Sequence, residues 1–266
     1  MEVIRGIENW KKVNRPVVTV GSFDGVHLAH KAIIGLLKHY AELCGGTSVL
    51  ITFSPHPRLV LHAYDAYARN FGLLSSDEEK TVLLERAGLD TVAILGFDEA
   101  FSKMPYDVFI EKILVETIGV KKMVVGYNHN FGYGRAGSYE QMSEYGKRYG
   151  FEVDRFPEQM VHRQHISSTH IRSLLEEGNV AQAHDLLGYE YGITGIFRNG
   201  LFNSVDPHKL LPGKGHYLVK VKNREKHNFT VCRIADTVTF PDLHTIEDGE
   251  TVRMNFIKKL HLSGDN

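Results

Sequence analysis

The sequence predicts an α/β protein made of a parallel sheet with helices on both faces, followed by a small all-β domain. Two observations carry this: residues 1–187 alternate short β-branched runs with segments of helical period, and residues 188–266 contain only β-type runs. With 266 residues the chain is long enough for two modest domains. The boundary is therefore expected between residues 187 and 188.

In the first domain, polar or glycine-rich segments follow three of the predicted strands, after Val20, Phe53 and Val125. Open parallel sheets bind ligands outside the carboxyl ends of their strands, so one shared ligand site is expected at this edge. Ser76 is the expected N-cap of the second helix. Strands are predicted at residues 17–20, 47–53, 91–95, 122–125 and 151–156, and helices at residues 30–43, 77–87, 106–117, 139–149 and 173–187.

The second domain has the pattern of a small barrel or sandwich. Its β-type runs are separated by the turn formers Asn199-Gly200, Pro212-Gly213 and Asp248-Gly249. The runs lie at residues 191–197, 215–222, 229–234 and 251–256.

Composition excludes several classes of function. A formal charge of −1 gives no electrostatic case for nucleic acid or membrane binding. The two cysteines, Cys44 and Cys232, indicate separate buried thiols in a reducing compartment.

No apolar run approaches the roughly 18 residues of a membrane span, and the first residues do not form a signal peptide. The fifteen histidines are scattered without metal-ligand spacing, so no metal site is expected. We expect a cytoplasmic protein; a homo-oligomer is left open.

Residues 17–30 predict a strand that ends in a glycine turn and leads into a helix near His27 and His30. A helix start exposes unpaired N–H groups and attracts phosphate. Two imidazoles one helical turn apart add donors for phosphate oxygens. These features predict a nucleotide site. Its candidate nucleotide-binding residues are Gly21, Ser22, Phe23, Asp24, His27 and His30.

Two loops are candidate binding sites for a second ligand beside the nucleotide. At residues 52–57, Pro57 helps fix a rigid corner, and Phe53 and His56 could flank a flat ligand. At residues 125–137, glycines allow close approach and Arg135 supplies a planar cation. Read without a relative, either segment is equally an ordinary structural loop.

Residues 166–172 place hydroxyls and Arg172 at the start of a helical run. The structural interpretation is a good N-cap. The functional one is a second anion site formed by Ser167, Ser168, Thr169 and Arg172.

Gly21 to His30 resembles the signature of the HxGH nucleotidyltransferases, and more narrowly the adenylyltransferase module of prokaryotic riboflavin kinase/FAD synthetases. The segments at 52–57, 125–137 and 166–172 are similar to that family's T-F-x-P-H-P, V-G-x-[DN] and I-S-S-T-x-I-R motifs, in the same order. Two residues depart from the pattern: Ala29 stands for glycine and His129 for phenylalanine.

The resemblance implies a Rossmann-like domain that makes FAD and pyrophosphate from FMN and ATP. It assigns catalytic roles to His27, His30, Asn128 and Arg172, and adds Gly126 to the ATP-binding residues. Mg²⁺ would arrive with ATP, with Asp24 as the nearest carboxylate or merely a turn residue. A transferase for another phosphorylated acceptor and a non-catalytic flavin or nucleotide sensor stay open. The implied flavin-binding residues are Phe53, His56, Pro57, Asn128, Phe131 and Arg135.

Residues 187–195 resemble the junction to the family's riboflavin kinase barrel, and residues 212–217 resemble one of its later strands. The kinase motif containing Pro-Thr-Ala-Asn is absent from the sequence. We therefore expect a shortened, degenerate barrel without riboflavin kinase activity.

Overall fold

The computed structural model describes residues 1–61, 71–126, 131–158, 160–161, 164–198, 201–223, 226–240 and 246–260. The chain divides into two compact units: residues 1–71 with 77–159, and residues 72–76 with 160–266. This division differs from the boundary expected at 187/188, because residues 160–187 cluster with the barrel. The last helix before residue 188 packs on the final barrel strand, and the amide of Gly213 donates to the carbonyl of Leu175 at 2.8 Å.

The first unit contains a six-stranded parallel sheet, which confirms the predicted α/β fold. Its strand order is β1-β4-β3-β2-β5-β6. The edge strand β1, which pairs with β4, was not anticipated from the sequence. The strands are β1 (Glu2–Arg5), β2 (Pro16–Val20), β3 (Thr47–Ser54), β4 (Thr91–Gly96), β5 (Lys122–Val125) and β6 (Glu152–Arg155).

Helices cover both faces of this sheet because alternate strand residues point to opposite sides. Val17 belongs to the core on one face with Ile34 and Leu37, whereas Val18 belongs to the core on the other face with Ile110 and Met142. The helices of this unit are α1 (Leu28–Cys44), α2 (Pro57–Leu61), α3 (Asp77–Arg86), α4 (Glu99–Ser102), α5 (Tyr106–Val108), which continues as a π-helical stretch over Phe109–Ile118, and α6 (Tyr139–Tyr149).

The predicted single helix over residues 173–187 is wrong. The structure has two helices, α7 (Ser168–Glu176) and α8 (Val180–Leu187). Gly178 lies between them at φ +83°, in the left-handed region where glycine is favoured, and its amide donates to the carbonyl of Leu175 at 2.9 Å. The first helix therefore ends before Gly178, and the second helix begins at Val180.

The second unit contains a closed antiparallel barrel with the order β10-β13-β12-β11-β14-β9. Its interior holds Tyr191, Tyr217 and Phe256, each fully buried. The two short strands β10 and β13 were missed by the sequence analysis. The strands of this unit are β9 (Gly192–Arg198), β10 (Leu201–Ser204), β11 (Gly215–Asn223), β12 (Lys226–Ile234), β13 (Val238–Thr239) and β14 (Thr251–Leu260), with a separate pair β7 (Met160–Val161) and β8 (Gln164–His165).

Both cysteines are free thiols. Cys232 is buried, and its burial raises the pKa of the thiol to about 12. Cys44, the last residue of α1, is only half-buried, so the expectation of two buried thiols is wrong for this residue. Within the described ranges, no helix combines the length and apolar character that a bilayer span requires.

Candidate functional site

The three strands that precede the predicted motifs are neighbours in the sheet, in the order β3-β2-β5. Val20 is paired with Ile51 on one side of β2, and Val18 with Met123 on the other. From β2 the chain continues through β3 and β4 on one side of β2. The next strands, β5 and β6, are then added on the opposite side of β2. This reversal is a topological switch point, where open α/β sheets bind ligands.

The turn that follows β2 has an unusual backbone. Phe23, Gly25 and Val26 have φ of 46°, 79° and 36°. The left-handed region is costly for a β-branched residue such as Val26. Neighbouring strands hold the turn: the amide of Gly21 donates to the carbonyl of Ile51 at 3.0 Å, and the Thr52 hydroxyl donates to the carbonyl of Ser22 at 3.2 Å. Strain at a ligand-facing turn is typical of functional sites.

His27 is the N-cap of α1. Its Nδ1 accepts a hydrogen bond from the His30 amide at 3.3 Å. The two imidazole rings stack with centroids 3.6 Å apart, and Phe23 stacks on His30 at 4.3 Å. Because Nδ1 is an acceptor, neutral His27 carries its proton on Nε2, which is then a donor. The packing therefore fixes both the orientation and the tautomer of this side chain.

His30 is enclosed between His27 and Phe23. Its Nδ1 is buried and has no hydrogen-bond partner among the described residues. Burial, and secondarily the neighbouring His27, holds the pKa of His30 well below 6.5. At neutral pH the ring is therefore uncharged. A phosphate placed beside it would favour the protonated form, because an opposite charge raises the pKa of an imidazole.

A cleft of roughly 540 Å³ opens at this edge of the sheet, a volume suited to a small-molecule ligand. It brings together residues from three of the predicted motifs. The predicted site residues in its wall are Gly21, Ser22, Phe53, His56, Pro57 and Phe131. Phe23, Asp24, His27 and His30 are not part of this wall; the first three of them are buried.

Much of the cleft wall was not anticipated from the sequence. A large part of what was missed follows β4, whose carboxyl end lies at the same edge. There Phe97 and Phe101 lie 5.6 Å from the Phe53 ring, so three aromatic side chains form a continuous apolar surface. The signal available was the pair Gly96 and Phe97, which directly follows the strand predicted at residues 91–95. The additional wall residues are Val20, Arg58, Leu61, Phe97, Phe101, Ser102, Lys103, Met104, Phe109, Gly132, Tyr133 and Gly134.

In the second unit, residues 166–172 contain a capped helix start, and the helix begins at Ser168 rather than at residue 173 as predicted. Ser167 is the N-cap of α7 and accepts a hydrogen bond from the His170 amide at 3.2 Å. Ser168 and Thr169 are the first two helical residues. Arg172 is 7% exposed, and its Nε donates to the carbonyl of Gly72 at 2.8 Å. The helix start thus combines backbone amides, hydroxyls and a buried guanidinium, which suits an anion.

Three predicted site residues follow β5 in a loop that the structure describes only in part. Asn128 and the departure at His129 lie outside the described residues. Gly126 is the last residue described after β5, and Arg135 is described in its backbone alone. Ala29, the other departure, is the second residue of α1 and is half-buried.

A divalent cation has no cage of protein ligands in the part of the chain that the structure describes, because no group of three or more His, Cys, Asp or Glu side chains is gathered there. Mg²⁺ tends to keep its waters and to bind through substrate phosphates.

The doubly wound sheet, the histidine-capped helix start and the cleft at the switch point define a Rossmann-like nucleotide-binding domain. Residues 10–170 match the family model described as FAD synthetase, which is more than half of the chain. The chain belongs to the FAD synthetase family.

Two relatives extend the match beyond residue 170. The chain is 33% identical over 233 residues to the bifunctional riboflavin kinase/FMN adenylyltransferase of Haemophilus influenzae, covering 84% of this chain and 74% of the relative. It is 29% identical over 246 residues to the protein of the same name from Listeria monocytogenes, covering 88% and 76%.

A solved structure shares the fold. The crystal structure of a macrolide-efflux protein from Streptococcus pneumoniae superposes with a TM-score of 0.83 and covers 100% of this chain and 92% of its own. At 22% sequence identity this likeness supports the fold alone.

Proposed function

We propose that this protein is an FMN adenylyltransferase, which transfers the adenylyl group of ATP to the phosphate of FMN and releases pyrophosphate. One observation carries the proposal. The turn whose Gly21 and Ser22 line the aromatic cleft ends in the stacked pair His27 and His30 at the start of α1. A flat ligand in the cleft thus lies beside a phosphate-binding helix start. The family membership and the names of the two relatives support the same reaction.

The chemistry is an in-line displacement at phosphorus. A phosphate oxygen of FMN forms a bond to the α-phosphorus of ATP, the bond from that phosphorus to the bridging oxygen breaks, and pyrophosphate leaves with the electron pair. An ionised phosphate is already a nucleophile and needs little base catalysis. Positioning and electrostatic stabilisation therefore supply most of the rate.

We assign phosphate binding to the start of α1. Nε2 of His27 donates to a phosphate oxygen, and His30, which is neutral in the free protein, is protonated more readily as the phosphate approaches. For Ser167, Ser168, Thr169 and Arg172 we keep the role that the family resemblance implies, which is binding of the departing β- and γ-phosphates. Mg²⁺ enters as Mg-ATP and neutralises charge on the leaving group. Gly126, Asn128 and Arg135 keep the family roles that the resemblance implies.

We also propose that the barrel does not phosphorylate riboflavin. Two observations support this: the sequence contains no Pro-Thr-Ala-Asn segment, and the large side chains Tyr191, Tyr217 and Phe256 fill the barrel interior. The free thiols Cys44 and Cys232 support a reducing, cytoplasmic setting.

The test is a chromatographic assay of the purified chain with Mg-ATP and either FMN or riboflavin. We expect FAD from FMN, pyrophosphate in equal amount, and no product from riboflavin. FMN formed from riboflavin would contradict the barrel assignment alone. Absence of FAD, with FMN still bound, would contradict the transferase and point to another acceptor or to a sensor.

A further inference from the structure

The cleft has two chemically different ends. Its inner end is formed by Val20, Gly21 and Ser22 at the carboxyl end of β2, next to the turn that leads to His27. Its outer end lies where α2 packs against α4, which follow β3 and β4. In the proposed reaction the FMN phosphate must lie at the inner end to reach ATP. The isoalloxazine ring of the flavin then lies at the outer end.

Arg58 is the first charged residue of α2 and lines the outer end. Its guanidinium lies over the ring of Phe71 at 5.2 Å, and the His56 ring lies 5.0 Å from the same phenylalanine. The Arg58 amide also donates to Nδ1 of His56 at 3.1 Å. Stacking on an aromatic ring leaves the edge of the guanidinium, with its N–H donors, available for a planar partner.

The second cation of the outer end has a different environment. The Lys103 ammonium donates to a Glu99 carboxylate oxygen at 2.7 Å. Arg58, by contrast, has no carboxylate within ion-pair distance among the described residues. An unpaired guanidinium on the rim of an apolar cleft suits a ligand that presents hydrogen-bond acceptors there.

We propose that Arg58 is a specificity-determining residue that binds the carbonyl edge of the isoalloxazine pyrimidine ring. This inference rests on the proposed function. The ring presents two carbonyl oxygens and ring nitrogens in one plane, which matches the planar donor set of arginine. The aromatic surface of Phe53, Phe97 and Phe101 accommodates the apolar part of the ring. Arg58 thereby selects a flavin over a flat hydrocarbon of similar size.

The experiment measures dissociation constants of the full chain for FMN and for riboflavin, by quenching of flavin fluorescence. We expect Arg58→Gln to weaken both ligands by the same factor, about tenfold, since the lost hydrogen bonds involve a charged donor. Arg58→Lys keeps the charge without the planar fork and should fall between. Arg148→Gln is the matched control, because Arg148 is an exposed arginine over the ring of Tyr149 at 5.2 Å and lies outside the cleft.

The outcomes separate the inference from the proposed function. A loss confined to FMN would overturn the ring contact and place Arg58 on the phosphate. Unchanged affinity for both ligands, with wild-type FAD synthesis intact, would overturn the inference alone. Failure of the wild-type chain to bind FMN would overturn both. A raised KM for FMN with unchanged kcat in Arg58→Gln is the supporting kinetic result.

Discussion

The carboxyl edge of the parallel sheet has a strained turn and an open cleft, whereas the interior of the barrel is filled by large side chains. Inside the barrel, the hydroxyl of Tyr191 donates to the carbonyl of Leu210 at 2.7 Å, and the hydroxyl of Tyr217 donates to the carbonyl of Gly213. At the sheet edge, Nδ1 of His30 is buried without a partner among the described residues, and Val26 is held at φ 36°. Such costs persist in a fold where they serve a ligand.

This difference indicates which part of the chain carries the function. A barrel filled by three fully buried large side chains, Tyr191, Tyr217 and Phe256, gains stability from its interior. The sheet edge instead leaves a cleft of roughly 540 Å³ beside the strained turn. We therefore expect substitutions at the edge to change the rate of FAD formation, and substitutions in the barrel to change the free energy of unfolding.

The largest effect is expected at His27. His27→Ala removes the proposed phosphate donor and should lower kcat for FAD formation by about 10²–10³-fold. His27→Asn is the matched variant, since asparagine keeps an N-cap acceptor for the helix. Steady-state assays with Mg-ATP and FMN measure both, and circular dichroism checks the fold. Near-wild-type turnover of a folded His27→Ala variant would rule out the phosphate contact and leave His27 as a cap.

The next effect is expected at Arg172, which lies in the barrel unit yet belongs to a proposed anion site. Arg172→Lys keeps a positive charge, but it removes the Nε–H that donates to the buried carbonyl of Gly72. We expect a loss of stability of about 1–3 kcal/mol, from the unsatisfied carbonyl, and a raised KM for ATP. Chemical denaturation and initial-rate kinetics measure the two effects. A stability loss with an unchanged KM for ATP would make Arg172 purely structural.

The position of the site could be predicted from the sequence, because chain order and strand polarity alone place Val20, Phe53 and Val125 at one edge. The helix start near His27 and His30 could also be predicted, since a glycine turn before an apolar helical segment indicates a helix start. The stacking of Phe23 on His30 could not, because it depends on left-handed backbone angles at Phe23 and Val26 that no residue preference favours.

Other features were missed for definable reasons. The aromatic wall at Phe97 and Phe101 follows β4, where Gly96 ends the strand but no histidine and no motif of the resembled family marks a ligand site. The break at Gly178 was missed because its flanks keep an apolar period suited to one long helix. Strands β10 and β13 are four and two residues long, too short for a period to register.

A smaller effect is expected inside the barrel. Tyr217→Phe removes the hydroxyl that donates to the carbonyl of Gly213 and should reduce the free energy of unfolding by about 1 kcal/mol. Because burial raises the pKa of Tyr217 to about 12, this hydroxyl remains a donor over the usual pH range. Thermal denaturation measures the change, and kcat for FAD formation should equal that of the wild type. A fall in kcat without a fall in stability would contradict the assignment of activity to the sheet edge and of stability to the barrel interior.

The smallest effect is a pH dependence that originates at His30. Burial, with a further contribution from His27, lowers the folded-state pKa of His30 well below 6.5, so the unfolded chain takes up the proton first as pH falls. The stabilising contribution is complete above about pH 6.5 and is lost as pH decreases toward the folded-state pKa. His30→Gln lacks this titration, so its unfolding free energy should decline less steeply than that of the wild type between about pH 7 and pH 5. Denaturant unfolding at several pH values measures the difference. Parallel slopes would show that His30 is protonated equally in both states, and the neutral state of His30 would then have to be abandoned.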